Sequence, residues 1–369
     1  MGRLLFVVMA AWLSVAALVV ADQVAGQPVC TPRPTEGRET AAASAINVYG
    51  WPVKPFHRQH PVRGILGDPR TIFSGPPTRD SVLHGGGEFD FHKGIDIVAA
   101  PDTPVYPVRD GRVTKITLVH TRESITVDSR QGHSFEYWHV RPRVSEGQWV
   151  TAEKTVLGTV LPEVGHVHLT ELRYGCVLNP LAPGHLTPYT DRTVPRVAAV
   201  IFQTAAGDTI RPNLVRGRVL LVANAYDTAS MPVPGAWHGM PVVPALLTWR
   251  IQSWTGKVVV PTRVAADFRI SIPPRSAFWR IYARGTFQNM AAFSDYYSYL
   301  HPGVYLFKLT PLPFDTRQLR DGVYDLVVTA ADIRGNSSSL TRRFTIHNRP
   351  RSRYARADAA PERRLLVRP

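Results

Sequence analysis

Cysteine is nearly absent from this sequence of 369 residues, which contains only Cys30 and Cys176. A small scaffold held together by many disulfides is therefore excluded, because such folds need several bridges to compensate for a small core. Two interpretations of the pair remain open. One is a single disulfide that joins the N-terminal segment to the region around Cys176, and the other is two unpaired thiols.

Acidic residues and lysine are both scarce. The chain has 43 Lys and Arg residues against 28 Asp and Glu residues, a formal net charge of +15, and only six of the basic residues are lysine. A surface of this sign attracts polyanions without identifying which polyanion is bound. Nucleic acid and anionic cell-envelope polymers are both compatible with the charge, and the N-terminus distinguishes between them.

Only one apolar run approaches the length of a membrane span. It follows Arg3, extends over residues 4–20 and is followed by small residues. This is the pattern of a secretory signal peptide, which we assign to residues 1–26. An uncleaved anchor is the alternative, since about 17 apolar residues lie at the lower limit for crossing a bilayer. We expect a secreted or cell-envelope protein, in the periplasm or cell wall, with no stable membrane span after cleavage and no nucleic-acid partner.

Helical periodicity is rare. The sequence instead contains short apolar runs separated by Pro and Gly. Residues 111–116, 124–127 and 135–138 are examples, each rich in β-branched or aromatic side chains. The sequence therefore predicts a mainly β protein with antiparallel sheets.

Shifts in composition divide the mature chain into four parts. Residues 27–45 are rich in Pro, Ala and polar side chains and read as a linker. Two β-rich domains follow, over residues 46–190 and 196–348. Residues 349–369 are rich in arginine with no pattern that would form a core, so we expect a basic disordered tail.

Three histidine-containing motifs carry the candidate chemistry: residues 91–97 (FHKGIDI), 137–140 (YWHV) and 165–169 (GHVHL). Zinc prefers imidazole and carboxylate ligands, and a catalytic zinc ion keeps three protein ligands. His166 and His168 are two residues apart, so on a strand they share a face. Two histidines on one face of a buried strand cost free energy unless something binds them.

The spacing of His92 and Asp96 bears on the secondary structure of the first motif. Residues four apart share a face of a helix, but Gly94 and the β-branched residues around it disfavour a helix here. We therefore predict a strand that carries Asp96, preceded by a loop that carries His92.

Other catalytic patterns are missing. The sequence has no Gly-x-Ser-x-Gly elbow for a serine nucleophile. The glycine run at residues 85–87 lacks the strand-to-helix context of a phosphate-binding loop and is interpreted as a flexible loop. Several further histidines have no partner pattern, and we expect them to be solvated: His57, His60, His84, His120 and His133.

In order and content, these motifs resemble those of the LytM/lysostaphin-type zinc metallopeptidases. Residues 92–97 with residues 100–105 are similar to the first metal motif and its continuation. Residues 137–140 resemble the Tyr-x-His-Leu segment of that family, and residues 166–168 resemble its His-x-His motif. The resemblance extends over residues 46–188, about two-fifths of the chain.

The resemblance implies a site and an activity. His92, Asp96 and His168 would bind Zn²⁺, and His139 and His166 would lie beside the attacking water, orient or deprotonate it and stabilise the oxyanion. It implies a zinc metalloendopeptidase that acts on peptide bonds in peptidoglycan cross-links or stem peptides, with anionic envelope polymers as further partners. The alternative function is an envelope binding or regulatory protein whose zinc site is structural or idle.

One departure from the family lies after the second histidine of the third motif. The family usually has an aromatic residue and then glutamate there, whereas this chain has Leu169 and Thr170, with Glu171 one place later. The resemblance gives that glutamate no role as a metal ligand, so we expect a small effect.

Residues 196–348 resemble the Ig-like modules that accompany some exported peptidases. The similarity lies in residues 322–331 and in the turn at residues 335–336, where alternating apolar residues on both sides predict a β-hairpin. It implies an Ig-like β-sandwich that serves as a spacer or binding module without chemistry of its own.

Overall fold

The computed structural model describes most of the two β-rich regions, over residues 48–72, 88–119, 122–289 and 303–348. Several predictions fall outside these residues: the signal peptide (1–26), the linker (27–45), the basic tail (349–369) and the solvated positions of His84 and His120. Among the described helices, none has the length and apolar character needed to cross a membrane.

The first β-rich region contains thirteen described strands. They are β1 (Val62–Gly64), β2 (Pro69–Ile72), β3 (Glu88–Phe91), β4 (Ile95–Val98), β5 (Pro104–Val105), β6 (Gly111–Thr117), β7 (Ser124–Asp128), β8 (His133–Trp138), β9 (Val140–Pro142), β10 (Trp149–Val150), β11 (Gly158–Val160), β12 (His166–Arg173) and β13 (Cys176–Leu178). The strands predicted near residues 111, 124 and 135 are confirmed as β6, β7 and β8.

These strands form one large sheet and two small ones. The large sheet has eight strands in the order β1-β4-β12-β8-β7-β6-β10, with β13 beside β12. Strands β5, β11 and β9 form a three-stranded sheet, and β2 pairs with β3. Alternating side chains of β7 and β8, such as Ile125, Val127, Phe135 and Tyr137, are fully buried in the core beneath the large sheet, as expected for strands with one covered face.

The centre of the large sheet brings the three histidine motifs together. Strand β12 lies between β4 and β8, and its residue His168 pairs with Asp96 on one side and with Trp138 on the other. The antiparallel register therefore places residues from all three motifs side by side.

The second β-rich region contains ten strands and one short α-helix among its described residues. They are β14 (Arg196–Gln203), β15 (Thr209–Ile210), β16 (Arg218–Thr228), β17 (Pro241–Val242), β18 (Leu246–Ser253), β19 (Val258–Asp267), α1 (Phe278–Ile281), β20 (Leu306–Lys308), β21 (Phe314–Asp315), β22 (Gly322–Ala331) and β23 (Ser337–Ile346).

Two antiparallel sheets cover one core in this second region. Strand β16 pairs with β14, β17, β20 and β21 in a six-stranded sheet, and β19-β18-β22-β23 form the other. Buried side chains of both sheets belong to one hydrophobic cluster. The predicted hairpin is confirmed as β22 and β23, closed by the pair Ala331 and Ser337. The mainly β fold class is therefore confirmed, and the Ig-like sandwich stays a prediction.

Side chains of the two regions pack against each other in addition to the chain connection. Phe89 and Phe91 of β3 belong to the core of the second region, where the ring of Phe91 lies 5.9 Å from those of Phe268 and Tyr282. The Tyr282 hydroxyl also donates to the backbone oxygen of Gly67 at 2.7 Å. The division into residues 46–190 and 196–348 stays a prediction, and the core of the second part includes side chains from the first.

Cys176 is disulfide-bonded. The sequence contains one other cysteine, Cys30, which lies outside the described residues. This observation supports the disulfide interpretation over two unpaired thiols.

Candidate metal centre and groove

Three side chains predicted as metal ligands meet at the centre of the large sheet. His92 follows the end of β3, Asp96 lies in β4 and His168 lies in β12. Nε2 of His92 is 2.7 Å from Nδ1 of His168, and Oδ1 of Asp96 is 3.1 Å and 3.0 Å from these two nitrogens. The three groups could hold a metal ion.

In each of the two imidazole rings, the nitrogen that points away from the cluster also has a polar partner. Nδ1 of His92 lies 2.8 Å from the backbone oxygen of Ile65, and Nε2 of His168 lies 2.8 Å from Oγ1 of Thr170. Such partners fix the orientation and tautomer of metal-binding histidines. Because His92 donates a proton from Nδ1 to a carbonyl, its Nε2 carries the lone pair that faces the cluster.

Asp96 is oriented in the same way. Its Oδ2 accepts a hydrogen bond from Arg70 at 2.9 Å, which leaves Oδ1 toward the histidines. Gly64 of β1 permits this pairing, because a Cβ atom there would come within 2.8 Å of both Arg70 Nη2 and Asp96 Oδ2. The cluster offers two imidazole nitrogens and one carboxylate oxygen, which is the donor chemistry of a zinc site. The second nitrogen or oxygen of each group is hydrogen-bonded to a neighbouring residue, as in zinc sites.

The protonation of the cluster also suits a cation. Burial, reinforced by the Arg70 charge, lowers the pKa of His92 to about 3, so its ring is neutral near pH 7. Burial alone would raise the pKa of Asp96, but contacts with the neighbouring histidines, among them the hydrogen bond with His166, outweigh it and hold this pKa well below its ordinary value. A neutral imidazole and an ionised carboxylate are the forms that bind metal.

Gly94, between His92 and Asp96, allows this segment to lie close to strand β12. A Cβ atom on Gly94 would lie 2.1 Å from the backbone oxygen of Leu169 and 3.0 Å from Nε2 of His168. Real Cβ atoms do not come this close to a carbonyl oxygen, so a side chain here would push β12 away from the segment between His92 and Asp96.

The two histidines predicted to be catalytic lie beside this cluster. Nε2 of His166, at the start of β12, is 3.5 Å from Oδ1 of Asp96. The rings of His139 and His166 have centroids 4.5 Å apart. His139 has a φ angle of 65°, an unusual conformation for a residue with a side chain that costs about 1–3 kcal/mol and concentrates at functional sites. The structure thus brings all five predicted site residues to one groove.

Arg63 was not predicted from the sequence, yet it lies in the same groove. Its Nη2 is 2.8 Å from Nδ1 of His166 and 3.3 Å from Nε2. Its guanidinium lies 3.8 Å from the ring centroid of Trp237, which belongs to the second β-rich region. Gln288 and Asn289 of that region also line the groove.

The prediction that His133 is solvated is wrong. Its exposure is only 2%, and its Nδ1 lies 3.6 Å from Oε1 of Glu171. Glu171 is fully buried, accepts a hydrogen bond from the Tyr49 hydroxyl at 2.6 Å and lies 2.9 Å from Nδ1 of His185. The alternation of buried residues along β8 includes His133, so the strand pattern could have indicated its position.

A second carboxylate group consists of Asp191, Asp227 and Asp332. Its members accept hydrogen bonds from their own surroundings, such as those from the backbone nitrogens of Thr193 to Asp191 and of Asn336 to Asp332, both at 2.9 Å. Local donors therefore account for the placement of these carboxylates.

Most of the residues that form this groove lie in a segment that is similar in sequence to a known protein family. Residues 90–180 match the model of Peptidase family M23, and no curated protein matches the chain. Similar solved structures include the SpoIIQ–SpoIIIAH pore-forming complex (19% identity over 37% of this chain and 89% of that chain, TM-score 0.28). A zinc-containing peptidase from Vibrio cholerae is 20% identical over 36% of this chain and 38% of that chain (TM-score 0.27). The catalytic domain of lysostaphin from Staphylococcus simulans is 19% identical over 31% of this chain and 89% of that chain (TM-score 0.22).

The matched residues contain the candidate metal ligands His92, Asp96 and His168 and both neighbouring histidines, His139 and His166. The resemblance stated from the motifs is therefore confirmed at the level of the family, and residues 90–180 of this chain form a Peptidase family M23 domain.

Proposed function

We propose that this chain is an exported zinc metalloendopeptidase that hydrolyses peptide bonds in peptidoglycan cross-links or stem peptides. The observation that carries the proposal is the convergence of His92 Nε2, His168 Nδ1 and Asp96 Oδ1, each with its outer atom already engaged. The match of residues 90–180 to a peptidase family supports hydrolysis, and the signal-peptide pattern in residues 1–26 supports export.

His92, Asp96 and His168 would hold the zinc ion, which when bound acidifies a water molecule and polarises a carbonyl group. The ligands would be two imidazole nitrogens and one carboxylate oxygen, so the site would keep a net positive charge with the cation bound. Hydrogen bonds from Arg70 to Asp96, between Thr170 and His168, and from His92 to the Ile65 oxygen keep the three groups in place, which limits the reorganisation that binding requires.

The neighbouring histidines would divide the proton chemistry between them. Arg63 has only donors, so its contact with Nδ1 of His166 is favourable when that nitrogen carries the lone pair, although the Val164 oxygen also lies 3.0 Å away. In that tautomer the proton of His166 is on Nε2, which faces Asp96 and can donate to a developing oxyanion. His139 would accept the proton of the attacking water.

The deciding experiment combines metal content and hydrolysis. The chain from residue 27 onward is purified, its zinc is assayed, and it is incubated with peptidoglycan with and without a chelator. We expect roughly one zinc ion per chain and chelator-sensitive release of peptide fragments. Zinc without hydrolysis would favour an envelope binding or regulatory protein, and a chain that binds no zinc would contradict the proposal.

A further inference from the structure

One wall of the groove comes from the second β-rich region. Trp237, Gln288 and Asn289 face the groove together with Arg63 and Trp138 of the first region. A peptide bound in this groove would therefore contact side chains of both regions.

Contacts from the second region hold both the backbone and the guanidinium of Arg63. Asn289 donates from Nδ2 to the backbone oxygen of Arg63 at 2.8 Å and to that of Pro241 at 2.9 Å. The Trp237 indole donates to the backbone oxygen of Asn289 at 3.0 Å, and its ring stacks on the Arg63 guanidinium. Cation–π stacking of this kind orients a guanidinium without neutralising its charge.

Arg63 differs from Arg70 and Lys93, two other cations that line the groove, in its electrostatic partners. Arg70 is paired with Asp96 at 2.9 Å, and Lys93 with Asp90 at 3.1 Å. Within the part of the chain that the structure describes, no carboxylate forms an ion pair with Arg63, and its polar side-chain contact is the neutral ring of His166. Asp96 attracts this cation without forming a direct ion pair with it. A partly desolvated cation that lacks a directly bound counter-ion is unfavourable, and an anion brought by a ligand would relieve that cost.

We propose that Arg63 binds a carboxylate of the peptide substrate next to the scissile bond, and that Trp237 and Asn289 position its guanidinium for this contact. The proposal rests on the proposed peptidase function for the identity of the ligand, and it assigns the substrate class: peptides with a negative charge beside the cleaved bond. A free α-carboxylate and an acidic side chain offer the same planar group, which a guanidinium binds through two parallel hydrogen bonds.

Calorimetric titration of the zinc-loaded chain tests this contact without measuring hydrolysis. The ligands are N-acetyl-Ala-Ala as the free acid, the same peptide as the carboxamide, and N-acetyl-Glu-Ala carboxamide, which carries its charge on a side chain. We expect at least one charged peptide to bind roughly tenfold more tightly than the neutral one. The better of the two charged peptides identifies the source of the carboxylate. Equal affinities for all three peptides, or no binding of any, would overturn the proposal.

Because zinc also attracts carboxylates, the comparison of variants carries the assignment to Arg63. Arg63→Gln should remove most of the tenfold preference, and Arg63→Lys, which keeps the charge, should retain part of it. Trp237→Leu should weaken the preference, whereas Trp254→Leu is the matched control, since Trp254 is 68% exposed on the second region. Zinc content and thermal unfolding verify that each variant is folded.

An Arg63→Gln variant that binds zinc and keeps the full preference would refute the role of Arg63. Failure of the proposed function has a different result: the wild-type chain would release no fragments from peptidoglycan, while the ratio of acid to carboxamide affinity would still report on the anion site.

Discussion

Oγ1 of Thr170 lies 2.8 Å from Nε2 of His168, on the side of the ring opposite the nitrogen that faces His92 and Asp96. Both residues lie in β12, two positions apart, so they share a face of the strand. The strand that supplies a candidate metal ligand therefore also supplies the hydroxyl that orients it.

Thr170→Val should weaken zinc binding while leaving the fold intact, because it replaces the hydroxyl by a methyl group of similar size. Loss of such an orienting partner typically lowers metal affinity by about 10–100-fold. Competition with a chelating dye measures the change. Thr159→Val is the control, since Thr159 is also buried in a strand but does not line the groove. Equal zinc affinities of the two variants would contradict the role of Thr170.

His168→Ala should lose both zinc and activity, because only two of the three donors would remain. Metal analysis after dialysis and release of peptidoglycan fragments measure the two effects. His57→Ala is the control and should keep both properties, since the side chain of His57 is 77% exposed. Stoichiometric zinc in the purified His168→Ala variant would exclude this residue as a ligand.

His139→Ala should keep zinc and lose activity, because the ring lies next to His166 and is not one of the three clustered donors. Removal of a general base lowers the rate by about 10²–10⁴-fold. The measurement is the rate of fragment release at equal zinc content. If the variant lost its metal together with its activity, His139 would belong to the ligand set.

Glu171 should make the stability of the protein depend on pH below about 4.5, its ordinary pKa. Burial would raise the pKa of Glu171, but contacts with His133, His185 and Tyr49 outweigh it and lower the pKa to about 2. A carboxyl with a lowered folded-state pKa stabilises the fold fully above its unfolded-state pKa. That stabilisation, roughly 3 kcal/mol for a shift of this size, is lost as the pH falls from about 4.5 toward 2.

Thermal unfolding between pH 2 and pH 7 tests this dependence. Glu171→Gln should be less stable than the wild type at pH 7, and its unfolding temperature should change less below pH 4.5. Glu163→Gln, at an exposed position of the same β-rich region, should follow the wild-type curve. Parallel curves for wild type and Glu171→Gln would show that the buried carboxylate does not control acid stability.

The candidate metal centre could be predicted from the sequence because its residues lie in short motifs. The spacing of His166 and His168 is informative on a strand, and the structure places both in β12. Asp96 lies in a strand and His92 in the turn before it, as predicted. Alternation of apolar residues likewise predicted the strands, since burial of one sheet face produces that alternation directly.

The environment of these motifs could not be predicted in the same way. Asn289 and Arg63 are 226 residues apart in the sequence, and no local pattern encodes a contact between a side-chain amide and a distant backbone oxygen. His133 was misjudged for a different reason. A histidine has no strong preference between core and surface, and the buried carboxylate of Glu171 decides its position.

Strand β3 has a consequence for any attempt to dissect this protein. It ends one residue before His92, and its Phe89 and Phe91 are buried among aromatic side chains of the second region. A fragment cut after residue 190 would retain every candidate metal ligand but expose both rings to water. The region that carries the candidate metal centre is therefore not an independent module, and a chimera would need a host protein that packs matching aromatic side chains against Phe89 and Phe91.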